Sequence, residues 1–547
     1  MLNESMMSVD QRAREGGAGA VGIGGTVVAA FPDAAEAGAR VLALGGNAID
    51  AACAAAWALS VCEPGESGLG GQTTMLIRHG DGSAVVLDGH SHAPSSLTRA
   101  KVNRRQQSRG LRATTVPSTP LVLGEAQRRY GRLALREVLA PAIGIASEGY
   151  RITRLQRRIF AWTARHFRPG SPEARHFPGG GVALRVGDVF RQPALAAALE
   201  RIGREGVRDF YEGGIADEIV RDMRERGGLI RARDLRGMSL PVDRVPLRIE
   251  YRGNTVLSIP PPGGGVQVLL ALRLLEIVMP GVVELPAWYS ALARVTLASF
   301  RERERWADHP GDMGASLSEW LVSRGRAERI ARDMGESRDI GGPGSMGGAC
   351  DSGSGGGESG NTTHLCAADD EGRVVSLTQS IQSVFGAKVV HPTLGFVYNN
   401  YLSTCPRRAH PYRLGSGCLP QSNAAPTLVL RASGEPLLAL GSAGSRRIAS
   451  SVVQVVSAVV DRGLSVGAAL GMARAHALLG GGVWAEESAG SEVLDALRAG
   501  FRKVRPRPPK SYKMGAVQAI YWDQAGRRVG AADPRRDGAS AAFVRDS

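Results

Sequence analysis

Lysine is scarce in this chain: Lys101, Lys388, Lys503, Lys510 and Lys513 are the only five among 67 basic residues. The net charge of +15 is therefore carried by arginines, which are spread along all 547 residues rather than gathered into a stripe. A surface that tracks phosphates needs clustered cations, so the charge reads as compositional bias and no nucleic-acid partner is expected. Cysteine is scarce too. Cys53, Cys62, Cys350, Cys366, Cys405 and Cys418 form no C-x-x-C pair and no Cys/His spacing of a zinc site, which fits reduced thiols in the cytosol and no metal centre. The first seventeen residues, MLNESMMSVDQRAREGG, hold no apolar run, and the apolar stretch Val266 to Met279 is broken by Arg273 and Glu276. Neither a secretory signal nor a membrane span is expected, and the reading is a cytoplasmic protein without a membrane partner. Gly68–Gly71 and Pro260–Gly265 lack both glycine spacings that cradle phosphates, so they read as structural turns, and no cofactor is expected.

What is present points to a folded α/β chain. The hydrophobic fraction of 43% excludes a mainly disordered protein, and the 72 glycines follow no collagen period. The length allows three or four domains or one large α/β core. GIGGTVVAA reads as a strand, followed by a helix from an Asp33 cap to Leu44 that Gly45-Gly46 stops. The alanine-rich Ala48 to about Val61 is a helix able to pack closely, and Thr73–Ile77 pairs with Ala84–Leu87. From about 95 to 340 the pattern is largely helical, with amphipathic stretches at Gly131–Glu148, Gln192–Arg204 and Gln267–Met279. The arginine-rich segments 99–112 and 151–168 read as solvated faces, and Arg502–Lys513 as an exposed loop.

Residues 341–360 hold ten glycines in twenty positions and almost nothing apolar, so they read as a flexible linker. Directly after it, residues 362–368 and 373–378 flank Asp369-Asp370-Glu371-Gly372 as a β-hairpin with a four-residue connection. Pairing Ala368 with Arg373 puts Thr362 opposite Gln379 and beside Ser380, so two hydroxyls meet at the open end. No histidine or carboxylate is placed by this register to serve as base. A threonine at its own N-terminus supplies its α-amine as that base, and a linker ending at Asn361 is where the chain would be cut to free it. The alternative from spacing alone is an ordinary hairpin after a loop.

NTTHL, VVSLTQS, GFVYNN, PQSNAAPT and GSAGSRRI, in that order, resemble the small-subunit half of the γ-glutamyltranspeptidase family. EAGARVLALGGNAIDAACAAAWALSVCEPGESGLGGQTTM, VLAPAIGIASEGY, DFYEGGIAD and IPPPGGGVQVLLALRLLE resemble its large-subunit half, so the likeness runs from about residue 22 to 460. The resemblance implies the N-terminal-nucleophile hydrolase fold, an α/β four-layer αββα sandwich. It also implies self-cleavage into a large subunit, 1–361, and a small subunit, 362–547, that together form one domain. By the same likeness Thr362 is the nucleophile, and Ser380 stands where the family has a threonine touching the nucleophile's amine. Ser422 and Asn423 take the place of a paired serine near the substrate. Gly444 and Ser445 fall on the glycine-rich turn whose backbone N–H groups make the oxyanion hole.

The pattern departs from the family where the substrate is gripped. In Leu87-Asp88-Gly89-His90-Ser91, His90 stands for the arginine that holds the γ-glutamyl carboxylate. Thr404 falls where the family has the aspartate for the ammonium group, Tyr401 replaces a glutamine and Gln382 an asparagine. A mostly neutral histidine does not match arginine's bidentate hold on a carboxylate. The expectation is a self-processing hydrolase acting on an amide or carbonyl-adjacent C–C bond of a non-standard small molecule in specialised metabolism. The alternatives are a true γ-glutamyl transferase or hydrolase, and an unprocessed binding protein. Its partners are the small-molecule substrate and the two subunits of one precursor, with a dimer of that pair left open.

Overall fold

A computed structural model describes residues 20–22, 24–177, 184–305, 315–336 and 360–544. All but the last residue of the glycine-rich linker 341–360 lies outside them, as does Cys350. Two seven-stranded sheets organise the chain, and every strand pair within them is antiparallel. The first sheet runs in the order Ala539–Phe543, Gly25–Ala29, Gly360–Asp369, Val374–Ser383, Gln72–Arg78, Ala84–Gly89, Asp243–Arg244. The second runs Ala20–Gly22, Arg528–Ala532, Ala516–Trp522, Pro436–Ala443, Thr427–Leu430, Asn254–Ser258, Leu247–Tyr251.

The sheets meet through one cluster of small and branched side chains: Val28, Leu76, Cys366 and Val374 from the first, Leu257, Leu428, Ala439 and Ile520 from the second. Each sheet's remaining apolar residues pack against helices, Pro32–Ala43 and Ala48–Cys62 for the first, Gly265–Val278 and Arg447–Val460 for the second. All fifteen residues of the alanine-rich helix are buried, and Asn47 caps it by accepting from the Ile49 and Asp50 amides. Its neighbour comes so close that a Cβ on Gly38 would stand 2.9 Å from the Ala51 carbonyl.

Several local expectations need correction. Asp33 does not cap its helix: Pro32 occupies the first turn with its fixed φ, the helix starts there, and Asp33 lies inside the first turn. The described part of 95–340 is largely helical, as expected, but it also contributes strands. Leu247–Tyr251 and Asn254–Ser258 form a hairpin at the edge of the second sheet, and the first of these alternates buried and exposed residues as a half-buried strand does. Lys503–Arg507 is a strand of a three-stranded sheet rather than a loop, with the Arg507 guanidinium 4.1 Å from the Trp484 ring centre.

The last segment of the chain is fixed by a fully buried ion network. Arg535 pairs with Glu486 at 2.5 Å and with Asp533 at 3.0 Å, and Arg474 reaches Asp533 at 3.1 Å. Each of these side chains is at most 1% exposed. Removing one member would leave a buried charge without its partner, so the network holds residues 533–536 in one place. That place abuts the head of the Gly360–Asp369 strand.

Candidate active site

The hairpin is displaced by one residue from the register expected. Ala368 pairs with Val374 and Thr363 with Gln379, so the connection is three residues closed by Asp369 and Arg373. The Asp369 carboxylate accepts from the Glu371 and Arg373 amides, and Gly372 adopts φ +79°, which fixes this three-residue turn. A second shift occurs between Asn361 and Thr363, where Asn361 pairs with Gln382. Gln382 itself takes φ +81°, a left-handed value rare outside glycine. The irregularity in the ladder therefore lies at the Asn361–Thr362 bond.

At this bulge the two hydroxyls meet. Thr362 Oγ1 is 3.1 Å from Ser380 Oγ, and Ser380 Oγ donates to the Asn361 carbonyl at 2.8 Å. Ser380 Oγ also accepts from the Gln382 amide at 2.9 Å. Ser380 has one proton, and it is on the Asn361 carbonyl, so Thr362 donates in turn to Ser380. The result is a relay from a hydroxyl, through a second hydroxyl, to the carbonyl that precedes it. Gly71 makes room for the strand that carries Ser380, and Gly70 for the segment at Val397. A Cβ on Gly71 would lie 2.4 Å from the Ser380 carbonyl, and one on Gly70 2.2 Å from that of Val397.

Tyr401 extends the network. Burial pushes its phenol up to about 12, against hydrogen bonds with Ser380, Ser422 and Gln72, so it stays neutral. Gln72 accepts from both the amide and the hydroxyl of Ser91, next to His90. His90 is buried with Nδ1 on Asp88, and Arg244 holds the other Asp88 oxygen at 2.5 Å. Burial alone would raise the Asp88 carboxyl, but His90 and Arg244 hold it well below the ordinary range. Thr404 lies in the short 3-10 turn Tyr401–Thr404 and donates to the Tyr401 carbonyl at 2.9 Å.

On the second sheet, Gly444 (φ +123°) and Ser445 (φ +56°) form the sharp turn after the strand Pro436–Ala443. Ser445 thus reaches the left-handed conformation that a glycine would adopt more easily. Asn423 Nδ2 is 3.5 Å from Ser445 Oγ. The buried Arg303 binds the Asn423 side-chain oxygen and the Ser422 carbonyl, both at 2.8 Å, and burial brings its guanidinium down to about 10. Hydrogen bonds thus join Thr362, Ser380, Gln382, Tyr401 and Ser422 in one network. Asn423 joins Ser445 across the turn, and His90 adjoins the network through Ser91 and Gln72.

The sequence reading missed the residues on the upstream side. Arg536 Nη1 donates to the Thr362 carbonyl and Nη2 to Asn361 Oδ1, each at 2.9 Å. Tyr512 Oη meets the same Asn361 oxygen at 2.8 Å and Glu66 at 2.9 Å. Glu66 is ion-paired with Arg536. Beside them, burial lifts Glu63 to about 7, against the pull of Arg536 and the Thr363 hydroxyl. Among the described residues no group of three or more His, Cys, Asp and Glu side chains could hold a metal ion. No helix among them is long and apolar enough to cross a membrane. The five cysteines described carry free thiols.

Residues 34–543 match the family Gamma-glutamyltranspeptidase. The chain is 32% identical to the Acylase ACY 1 proenzyme of Pseudomonas sp. (strain V22), over 96% of this chain and 94% of that one. It is 29% identical to the Glutathione hydrolase proenzyme of Escherichia coli (strain K12), over 93% and 90%. Among solved structures it resembles the cephalosporin acylase from Bacillus halodurans, with a TM-score of 0.86 and 28% identity over 96% of this chain and 97% of that one. The mixed helix-and-sheet architecture is thus that of the transpeptidase and acylase structures. The chain belongs to the gamma-glutamyltranspeptidase family of enzymes.

Proposed function

We propose that the chain is a self-processing N-terminal-nucleophile hydrolase. It cuts between Asn361 and Thr362, and residues 1–361 and 362–547 remain together as one four-layer αββα domain. The relay Thr362–Ser380–Asn361 carbonyl carries this reading, because it joins a nucleophile to the polarised carbonyl just upstream of it. Once cut, the Thr362 α-amine serves as base for its own hydroxyl, with Ser380 orienting it and Gly444 and Ser445 offering backbone donors to the oxyanion. That the curated relatives are named proenzymes supports the same order of events.

The acyl group we assign is not an ordinary γ-glutamyl one, and specialised metabolism supplies it. Asp88 already holds both His90 and Arg244, and the Thr404 hydroxyl is turned onto a backbone carbonyl. A zwitterionic head would find neither of the family's two charged partners there. The relatives named acylases favour an N-acyl amide, while hydrolysis of a carbonyl-adjacent C–C bond would use the same attack with a stabilised carbanion leaving. The likeness to a glutathione hydrolase favours the second reading, γ-glutamyl turnover. Assaying purified protein with a panel of N-acyl p-nitroanilides beside the γ-glutamyl anilide separates the two. A wild type that prefers the γ-glutamyl compound overturns the acylase reading.

His90→Arg combined with Thr404→Asp should raise γ-glutamyl turnover about tenfold, in line with one regained charged hydrogen bond. His90→Arg alone should do less, because it sets a second arginine beside Arg244 on a single carboxylate. Unchanged γ-glutamyl rates in the double variant would mean that these positions do not face the substrate.

Ser380→Ala should slow self-cleavage without abolishing it and lower turnover by roughly 10²-fold, as for loss of one positioned proton-transfer partner. Ser380→Thr keeps the hydroxyl and should stay active. Turnover is to be measured on the processed fraction alone. Wild-type rates there would remove Ser380 from the site, and a drop in melting temperature without a rate change would make it a strand-end residue.

A further inference from the structure

We infer that Arg536 and Tyr512 form a clamp that positions the Asn361–Thr362 bond for self-cleavage, a role that rests on the self-processing reading above. Arg536 spans the bond: one guanidinium nitrogen holds the Thr362 carbonyl and another the Asn361 side-chain oxygen. Tyr512 reaches that same oxygen, and its ring lies 4.8 Å from the guanidinium carbon. Glu66 binds both clamp residues from behind. The Arg536 side chain is 1% exposed, and burial brings it down only to about 10, so it is a cation at neutral pH.

The geometry explains why acceptors on both sides of one peptide bond are gripped. Holding the Thr362 carbonyl and the Asn361 side chain leaves the intervening amide little rotation. The Asn361 carbonyl then stays on Ser380 and the Thr362 hydroxyl beside it, with the bulge and the strained Gln382 opposite. The step is an acyl shift. Thr362 Oγ1 attacks the Asn361 carbonyl carbon, the C–O bond forms, the C–N bond breaks, and the hydroxyl's proton ends on the Thr362 nitrogen. Water opens the resulting ester to an Asn361 carboxylate and a free Thr362 hydroxyl. Arg536 and Tyr512 touch neither the attacking oxygen nor the carbon attacked, so they are positioning residues. Their contacts to Asn361 belong to the uncut bond.

A double-mutant cycle on the full chain, followed by pulse–chase in cell-free translation, tests the clamp. Tyr512→Phe should lengthen the cleavage half-time about tenfold, the effect of one lost hydrogen bond on a barrier, and Asn361→Ala, which loses the Arg536 contact as well, should lengthen it more. The pair together should be no slower than Asn361→Ala alone, since that variant has already lost the contact that Tyr512→Phe removes. Arg536→Met should slow cleavage about a hundredfold and Arg536→Lys less. Should Arg536→Met fail to fold, the Asn361/Tyr512 cycle still decides, because it strands no buried charge. Effects that multiply, or Asn361→Ala cutting at the wild-type speed, would overturn the clamp and leave self-cleavage standing. A wild-type chain that stays whole would overturn both.

Discussion

Thr362→Ala is expected to run as a single band near 57.6 kDa on a denaturing gel and to turn over nothing, while the wild type gives two bands. In the proposed mechanism one hydroxyl serves both events: it attacks the Asn361 carbonyl during maturation and the substrate afterwards. No neighbour replaces it. The Ser380 proton is already on the Asn361 carbonyl, and the Ser380 oxygen accepts from the Gln382 amide, so this hydroxyl is a relay and not a second nucleophile. Loss of a nucleophile that works as one unit with its base costs more than about 10⁴-fold in kcat. Thr362→Ser keeps the oxygen and should still cut, more slowly, because its χ1 is less restricted without the branching methyl. N-terminal sequencing of the smaller wild-type fragment should begin Thr-Thr-His. An uncut wild type with full activity would sink both the cleavage site and the nucleophile assignment.

The parts of the site that were legible beforehand are those built from local sequence. The strand that carries Thr362 and the return strand that carries Ser380 announce themselves by the polar connection between them, whereas the turn Gly444-Ser445 was legible only through the family resemblance. The register was legible only to within one residue. It depends on how Asp369 folds its carboxylate back onto two amides, and a polar tetrapeptide allows more than one such turn. A one-residue slip matters here, because it decides whether Thr362 faces Gln379 or Ser380. Arg536, Tyr512 and Glu66 were not legible at all. Arg536 lies 174 positions from Thr362 along the chain and reaches it only because two sheets and a buried ion network bring the last segment back. Two adjacent arginines, Arg535 and Arg536, carried no visible distinction in a chain so rich in arginine. One belongs to the buried network and its neighbour to the Asn361–Thr362 bond.

Gly441→Ala is expected to destabilise the protein by about 3–5 kcal/mol, beyond ordinary overpacking, because nothing nearby yields without breaking the site. Gly441 lies in the strand Pro436–Ala443 directly against the His364 ring, and an added Cβ would stand 2.2 to 2.6 Å from three of its atoms. That ring is buried between the sheets, with Nδ1 on the Thr378 hydroxyl at 2.9 Å, and burial brings its pKa down to about 3, so it is neutral. A ring displaced by the new methyl would lose this contact and shift the strand two residues after Thr362. The second sheet would move with it, and so would the turn Gly444-Ser445 that ends the strand Pro436–Ala443. Unfolding by urea in a Thr362→Ala background, where cleavage cannot confuse the result, should show a lower midpoint with an unchanged slope. His364→Ala removes the obstacle, so the pair with Gly441→Ala should be less destabilised than the two single effects added together. Gly144→Ala is the control, since its Cβ meets nothing within 4 Å and lies in the helix Leu135–Glu148, where alanine is favoured by about 1 kcal/mol. A Gly441→Ala protein as stable as its parent would mean that the sheets are not held at this spacing by the His364 ring.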